Sequence, residues 1–238
     1  MSTLAQFRTV VADELGLDND SATEQPDIDI WVNKGVVRVL TDTHCYVTAT
    51  SVTASSLTAV GSTGDYLIPT TFLEIVDMFI TSGGTNYRLE RLTVPDLVER
   101  RRVSNPIGSP TMCYALAGAN LLMFWPNPSS ADVLSVYNVP IPTALSATGD
   151  DPSVAANGGI PIQLHEAIEF YACFKGASYD DDQSSAQGQR YHDLYDREIT
   201  RYTKLIRRRG GQRNPRAVVN DTKRRRAFHT NDVYTSGG

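Results

Sequence analysis

Between Pro161 and Arg209 apolar residues recur at three- and four-residue steps in two successive runs, so the chain must find helical partners for both. In the first run the stripe is Leu164, Ile168, Tyr171, Phe174 and Ser178. Ala167, Ala172, Gly176 and Ala177 beside it are small and let a neighbouring helix come close. The second run carries Tyr191, Leu194, Tyr195, Ile199, Tyr202, Leu205 and Ile206. The acidic residues Asp180, Asp181 and Asp182 join the two, with Asp182 as N-cap, and Gly210-Gly211 ends the second. At 1.5 Å per residue the helices span roughly 30 Å and 40 Å.

Two further helices open the chain. Ser2 caps the first, with Leu4, Phe7, Val11 and Leu15 on one face and Gly16 at its end. Pro26-Asp27 opens the second, whose buried side is Ile28, Trp31, Val32, Val36, Val39 and Leu40. Gly35 inside it is a mild cost unless a neighbour packs closely there.

From His44 the period changes to two. Cys45 to Thr53 alternates and is rich in Val and Thr, which predicts a strand, and Ser55 to Val60 a short second one. Leu73 to Thr81 and Asn86 to Leu92 read as a hairpin about Ser82-Gly83-Gly84-Thr85. A short helix follows Thr93 and Pro95 and ends in Glu99-Arg100-Arg101-Arg102. Thr111 to Leu116 and Asn120 to Trp125 read as paired strands, and Val133 to Val139 as the last. The order helices, strands, helices predicts an α+β fold. N- and C-terminal helices (1–43 and 160–209) form a bundle with a large antiparallel β-rich insertion (44–140), and a basic extended tail occupies 210–238.

Charge divides the chain sharply. Residues 201–238 hold eleven Lys and Arg against two Asp; residues 1–200 hold eleven against twenty-five Asp and Glu. The body is thus −14 and the end +9, a basic arm suited to an acidic surface of nucleic acid or protein. The plainer alternative is a solubilising disordered tail. No apolar run approaches the roughly 20 residues that span a bilayer, which predicts no membrane partner. The N-terminus lacks a signal-peptide layout, so a cytosolic origin is expected. Cys45, Cys113 and Cys173 are odd in number and read as thiols, not as a disulfide framework.

Catalytic signatures are missing. There is no glycine-rich phosphate loop, no strand-elbow serine and no metal-binding helix motif. His44-Cys45 has no second ligand pair, and His165 and His192 fit packed or surface helix positions better than a general base. Glu166 and Glu169 are neighbours on one helix and read as a solvated face. Asp180 to Asp182 lack calcium-loop spacing. Phe124, Trp125 and Tyr137 sit on strands as stacking platforms do, but no Lys or Arg lies between Arg102 and Lys175, so core packing accounts for them better. The chain is expected to be no enzyme and to need no cofactor or metal.

A set of ordered pieces resembles one family. They are Gly64-Asp-Tyr-Leu-Ile-Pro-Thr-Thr-Phe72, Pro110-Thr-Met-Cys-Tyr114, Leu122-Met-Phe-Trp-Pro-Asn-Pro128, Leu134-Ser-Val-Tyr137, and Ile160-Pro161 before a helix that ends in acidic residues. Their order and spacing resemble the head-to-tail adaptor (connector) proteins of tailed bacteriophages, from the first helix to about Arg209. The pieces are structural punctuation, not catalytic signatures. The basic tail departs from the pattern, being longer and richer in Arg.

The resemblance implies a homo-oligomeric ring, usually of twelve subunits, in the virion neck. Its partners would be the portal protein above and the next neck or tail component below, with double-stranded DNA passing through. The contacting residues expected on the tail are Arg207, Arg208, Arg209, Arg213, Arg216, Lys223, Arg224, Arg225 and Arg226. The competing reading is a nucleic-acid-binding protein that places those same side chains on phosphates.

Overall fold

The computed structural model describes residues 2–18, 21, 23–60, 65–68, 72–103, 111–118, 121–178 and 184–209. The fold is α+β. Its first helix, α1, runs Leu4–Leu15. Thr3, not Ser2, is the N-cap: the Gln6 side chain three residues on accepts a hydrogen bond from the Thr3 N–H at 3.0 Å. The second, α2, runs Glu24–Thr43 and begins two residues before Pro26. A proline in the first turn costs nothing there, since that N–H has no helical acceptor in any case.

Two sheets follow. The strands are β1 Thr48–Thr53, β2 Asp65–Leu67, β3 Phe72–Ser82, β4 Thr85–Arg88, β5 Glu90–Arg91, β6 Cys113–Ala117, β7 Leu121–Trp125 and β8 Val133–Pro140. One sheet has the order β1-β8-β3-β4, the other β2-β7-β6-β5. They face each other across Ile75, Met78, Ile80, Leu134 and Val136 from the first and Tyr114, Leu122 and Phe124 from the second. Alternation sends Cys113, Ala115 and Met123 to the opposite side, where Leu97 of helix α3 (Val94–Val103) covers them. In β3 the extra residues Leu73 and Val76 are bulges against β8. The second bulge lets Ile75 and Met78 both point inward although they are three apart.

Two strand expectations are corrected. Residues 55–60 are no strand: Ala54–Ser56 is a 3-10 turn, in which the Ser56 hydroxyl bonds the Thr53 carbonyl at 2.7 Å, and only Ala59 pairs, with Tyr66. The returning strand 86–92 is split. β4 pairs with β3 about the glycine turn Gly83-Gly84, both at positive φ, but β5 pairs in parallel with β6 of the other sheet. Buried Leu89 is the crossing point; its N–H bonds Met78 and that of Glu90 bonds Met112, both at 2.9 Å.

The chain then returns through a long connection to α4 (His165–Ala177) and α5 (Ser184–Arg209). α4 is shorter than expected, roughly 20 Å. Residues 162–164 form a 3-10 turn before it. At its end the Ser178 hydroxyl bonds the Phe174 carbonyl at 2.7 Å. Its buried face is centred on the small residues Ala167, Ala172, Gly176 and Ala177 with Ile168, while Tyr171 and Phe174 lie at the margin. The close approach is real at Gly35, where an added Cβ would stand 3.0 Å from the Ile168 carbonyl oxygen.

The four helices α1, α2, α4 and α5 share one core: Leu4, Phe7, Val11, Ile28, Val32, Val39, Leu164 and Ile168 are all fully buried. Each such side chain contributes roughly 1.5–3 kcal/mol relative to exposure. Val139 of β8 enters the same core, with Leu73 and Tyr46 packed against it, and so couples the β region to the bundle.

Candidate assembly surfaces

α5 changes character along its length. At its start Tyr191 and Tyr195 are buried, and their hydroxyls donate to Glu14 on α1 and Asp42 on α2, each at 2.7 Å. Burial and these carboxylates push both phenols above their usual range. Leu194, Ile199 and Tyr202 are half-buried. Leu205 and Ile206 then emerge, 39% and 45% exposed, although their spacing continues the buried stripe. Beside them a cleft of about 290 Å³ is lined by Ile162, Glu166, Glu198, Arg201, Tyr202 and Leu205. This end of the bundle thus offers three exposed apolar side chains, Ile162, Leu205 and Ile206, among mixed charges.

The outer face of α2 is a second surface. Ile30 and Val37, 48% and 37% exposed, lie about two helical turns apart in a groove of about 640 Å³, with Lys34, Thr41, Ala144 and Tyr171 around them. Asn33 fixes the wall of that groove. Its carboxamide accepts from the Leu145 N–H at 2.7 Å and donates to the Leu145 carbonyl at 3.0 Å, pinning the 141–161 connection against the helix.

Of the expected tail contacts, Arg207, Arg208 and Arg209 lie on the final turn of α5, directly beyond the exposed Leu205 and Ile206. Arg213, Arg216, Lys223, Arg224, Arg225 and Arg226 lie outside the described residues, as does the acidic cluster Asp180–Asp182.

The weighed catalytic candidates are dispersed. The His44 ring meets Glu74 at 2.9 Å on the surface. His165 is buried beside Phe7, and burial lowers its pKa, with the Ser2 N–H donating to its Nδ1 at 3.3 Å. His192 packs edge-on to Phe174 and reaches Asp196 at 3.2 Å. Cys113 and Cys173 are buried and all three thiols are free. Burial, with the charges of Glu14 and Glu169, pushes the Cys173 thiol up to about 12, so it is not a nucleophile at neutral pH. The solvated-face reading of Glu166 and Glu169 holds only for Glu166. Glu169 is half-buried, and desolvation, followed by repulsion from Glu166, raises its carboxyl to about 7. Phe124 is a core residue as expected, but Tyr137 is 40% exposed and stacks edge-on with Phe79 on the outer face of the first sheet. No described helix is long and apolar enough to cross a membrane.

Two positioning residues escape sequence reading. Arg101, in what reads as a plain basic helix end, bonds Asp65 at 2.8 Å and the Phe124 carbonyl at 2.9 Å, tying α3 to the second sheet. Arg8 grips Asp29 with two bonds of 2.6 and 2.7 Å between α1 and α2. Residues 2–220 match a family model described as SU10 adaptor protein. Comparison with curated proteins gives no match.

Proposed function

Since the chain belongs to the SU10 adaptor protein family of phage head-to-tail adaptors, we propose that it forms a ring below the portal, joins capsid to tail and lets DNA pass. The observation that carries this reading is the extent of the match, which takes in both helical pairs, the β region and the start of the basic tail. The assembly is built from copies of this chain, twelve by family resemblance, with the portal and the next neck component as partners.

Physical features support it. A closed ring needs two different faces on each subunit. The α2 groove and the exposed end of α5 are two such faces, separate and unlike. Between 207 and 238 the chain has few apolar residues and nine Lys and Arg, a composition suited to an acidic partner surface. Repeated around a ring, its weak charge contacts add through effective concentration. The body at −14 repels DNA, so acidic residues facing the channel keep the passing duplex from adhering.

The runner-up is nucleic-acid binding through Arg207–Arg209 and Lys223–Arg226, supported by the same charge split. Truncation before Gly210 separates the two. As an adaptor the shortened chain folds but no longer joins portal-bearing heads, and electron microscopy finds no extra ring between portal and tail. As a nucleic-acid binder it loses only salt-sensitive DNA affinity and still takes its place in the particle.

A further inference from the structure

Among the described residues, no further strand pairs with the outer edge of either end strand of the first sheet. The bonding phase of each follows from its flanks. The Ala54 N–H bonds Asp132 at 2.9 Å in line with the β1–β8 register, so Thr48, Thr50 and Val52 bond inward to β8. The N–H and C=O of Ala49 and Ser51 therefore point away from the sheet. On the other side the Leu89 N–H bonds Met78 at 2.9 Å, so Thr85 and Tyr87 bond inward to β3 and the backbone of Asn86 and Arg88 points away. Among the described residues no backbone group bonds these four positions.

We propose that these edges pair between neighbouring copies, β1 of one chain against β4 of the next, so that the sheet continues across the subunit boundary. This deepens the ring reading and rests on it. Strand direction alternates across the order β1-β8-β3-β4, so β4 and β1 run oppositely. A rotated copy standing the same way up therefore offers its β1 antiparallel to β4. With Ala49 opposite Arg88 and Ser51 opposite Asn86, all four of these residues bond across the boundary through four backbone hydrogen bonds, and Thr53, the third outward position of β1, falls opposite Gly84.

The side chains agree with that register. Through the ladders, Ala49 and Ser51 share a face with Tyr137 and Ser135, then with Asp77 and Phe79, then with Arg88. Asn86 shares it through Thr81. All four paired residues are exposed and lie on that one outer face, so the register keeps the outer faces of the two copies continuous. A one-residue slip would reverse the faces.

Charge and composition favour pairing. Free edges are normally blunted by charge, proline or a bulge. β1 reads Thr-Ala-Thr-Ser-Val-Thr and has none of these. The one charge on β4, Arg88, is drawn to Asp77 at 3.0 Å on its own sheet. Sheet spacing gives each copy roughly 19 Å of arc, hence roughly 230 Å around twelve before strand tilt widens the ring.

The test uses the full chain in particles that carry the neck. Ser51→Pro removes one outward N–H and is tolerated on a free edge, whereas Ser51→Ala keeps it. The expected result is an unchanged melting temperature for both isolated variants. Neck occupancy by electron microscopy is then at least tenfold lower for Ser51→Pro alone. The double variant Ser51→Cys, Asn86→Cys, oxidised in particles, gives a ladder of multimers on a non-reducing gel that collapses to monomer with reductant, and each single variant gives none; this arm decides if Ser51→Pro fails to fold. A normal ring with full Ser51→Pro occupancy and no ladder overturns the edge pairing while leaving the ring intact. Disulfides to a different virion protein overturn it as well. If the unaltered chain forms no ring, the underlying functional reading is what fails.

Discussion

Gly176 on α4 lies against the Trp31 ring on α2: a Cβ built on the glycine would stand 2.7 Å from Trp31 Cζ3 and would also strike Leu15 of α1. Three helices converge on one hydrogen atom. Ala is the better helix former by about 1 kcal/mol, yet Gly176→Ala is expected to destabilise, and Gly176→Val by about 2–3 kcal/mol, because the indole and the leucine cannot both withdraw from a packed core. Gly188 on α5 is the control. A Cβ there meets only ordinary contacts, 3.5 Å or more away, so Gly188→Ala stabilises by about 0.5–1 kcal/mol. Urea unfolding of the three variants checks the contrast.

Arg8 is 8% exposed, and Asp29 is its ionic partner. Asp29→Ala leaves a largely buried guanidinium without its carboxylate and is expected to cost about 2–4 kcal/mol. Arg8→Met combined with Asp29→Ala recovers more than half of that loss, since no charge then remains buried. A double-mutant cycle by chemical denaturation measures it.

The raised carboxyl of Glu169 makes stability depend on pH. The unfolded chain ionises this group near 4.5 and the folded protein near 7. The folded state binds the extra proton between those values, so the stability it provides is complete below about 4.5 and lost as pH climbs to about 7. Glu169→Gln removes that slope. Its advantage over the parent grows across this window to a plateau on the order of 2 kcal/mol, read from denaturation midpoints at successive pH values.

Asn33→Leu keeps the side-chain volume but strands the Leu145 N–H and carbonyl that the carboxamide satisfied. The expected loss is about 1–3 kcal/mol. Faster protease cleavage within 141–161, with the bundle otherwise folded, distinguishes local release of the connection from global unfolding.

The helices, most strands and the hairpin turn were legible in the chain because periodicity is a local property. Ile28 to Leu40 on α2 repeats at the helical step whatever it packs against, and Leu121 to Trp125 is a short unbroken apolar run closed by Pro126, which reads as a strand covered on both faces. Charge division and the cationic end needed only counting. The family resemblance, too, lay in the order of Pro- and aromatic-bearing turns. The failures have two causes, one local and one distant. Residues 55–60 leave the strand because hydroxyl and backbone contacts at Thr53 and Ser56 form a 3-10 turn. The strand after Gly84 divides because Met112 offers Glu90 an acceptor in the other sheet.

Local pattern therefore set which segments are helical or extended, and where charge resides. Tertiary packing alone decided that Gly176 must be a glycine, that Arg8 and Arg101 are ties and not surface charges, and that Glu169 is partly desolvated. It also decided which backbone groups are left facing outward at β1 and β4. Each of these depends on a partner far away along the chain, and burial and hydrogen-bond phase exist only once both are in place.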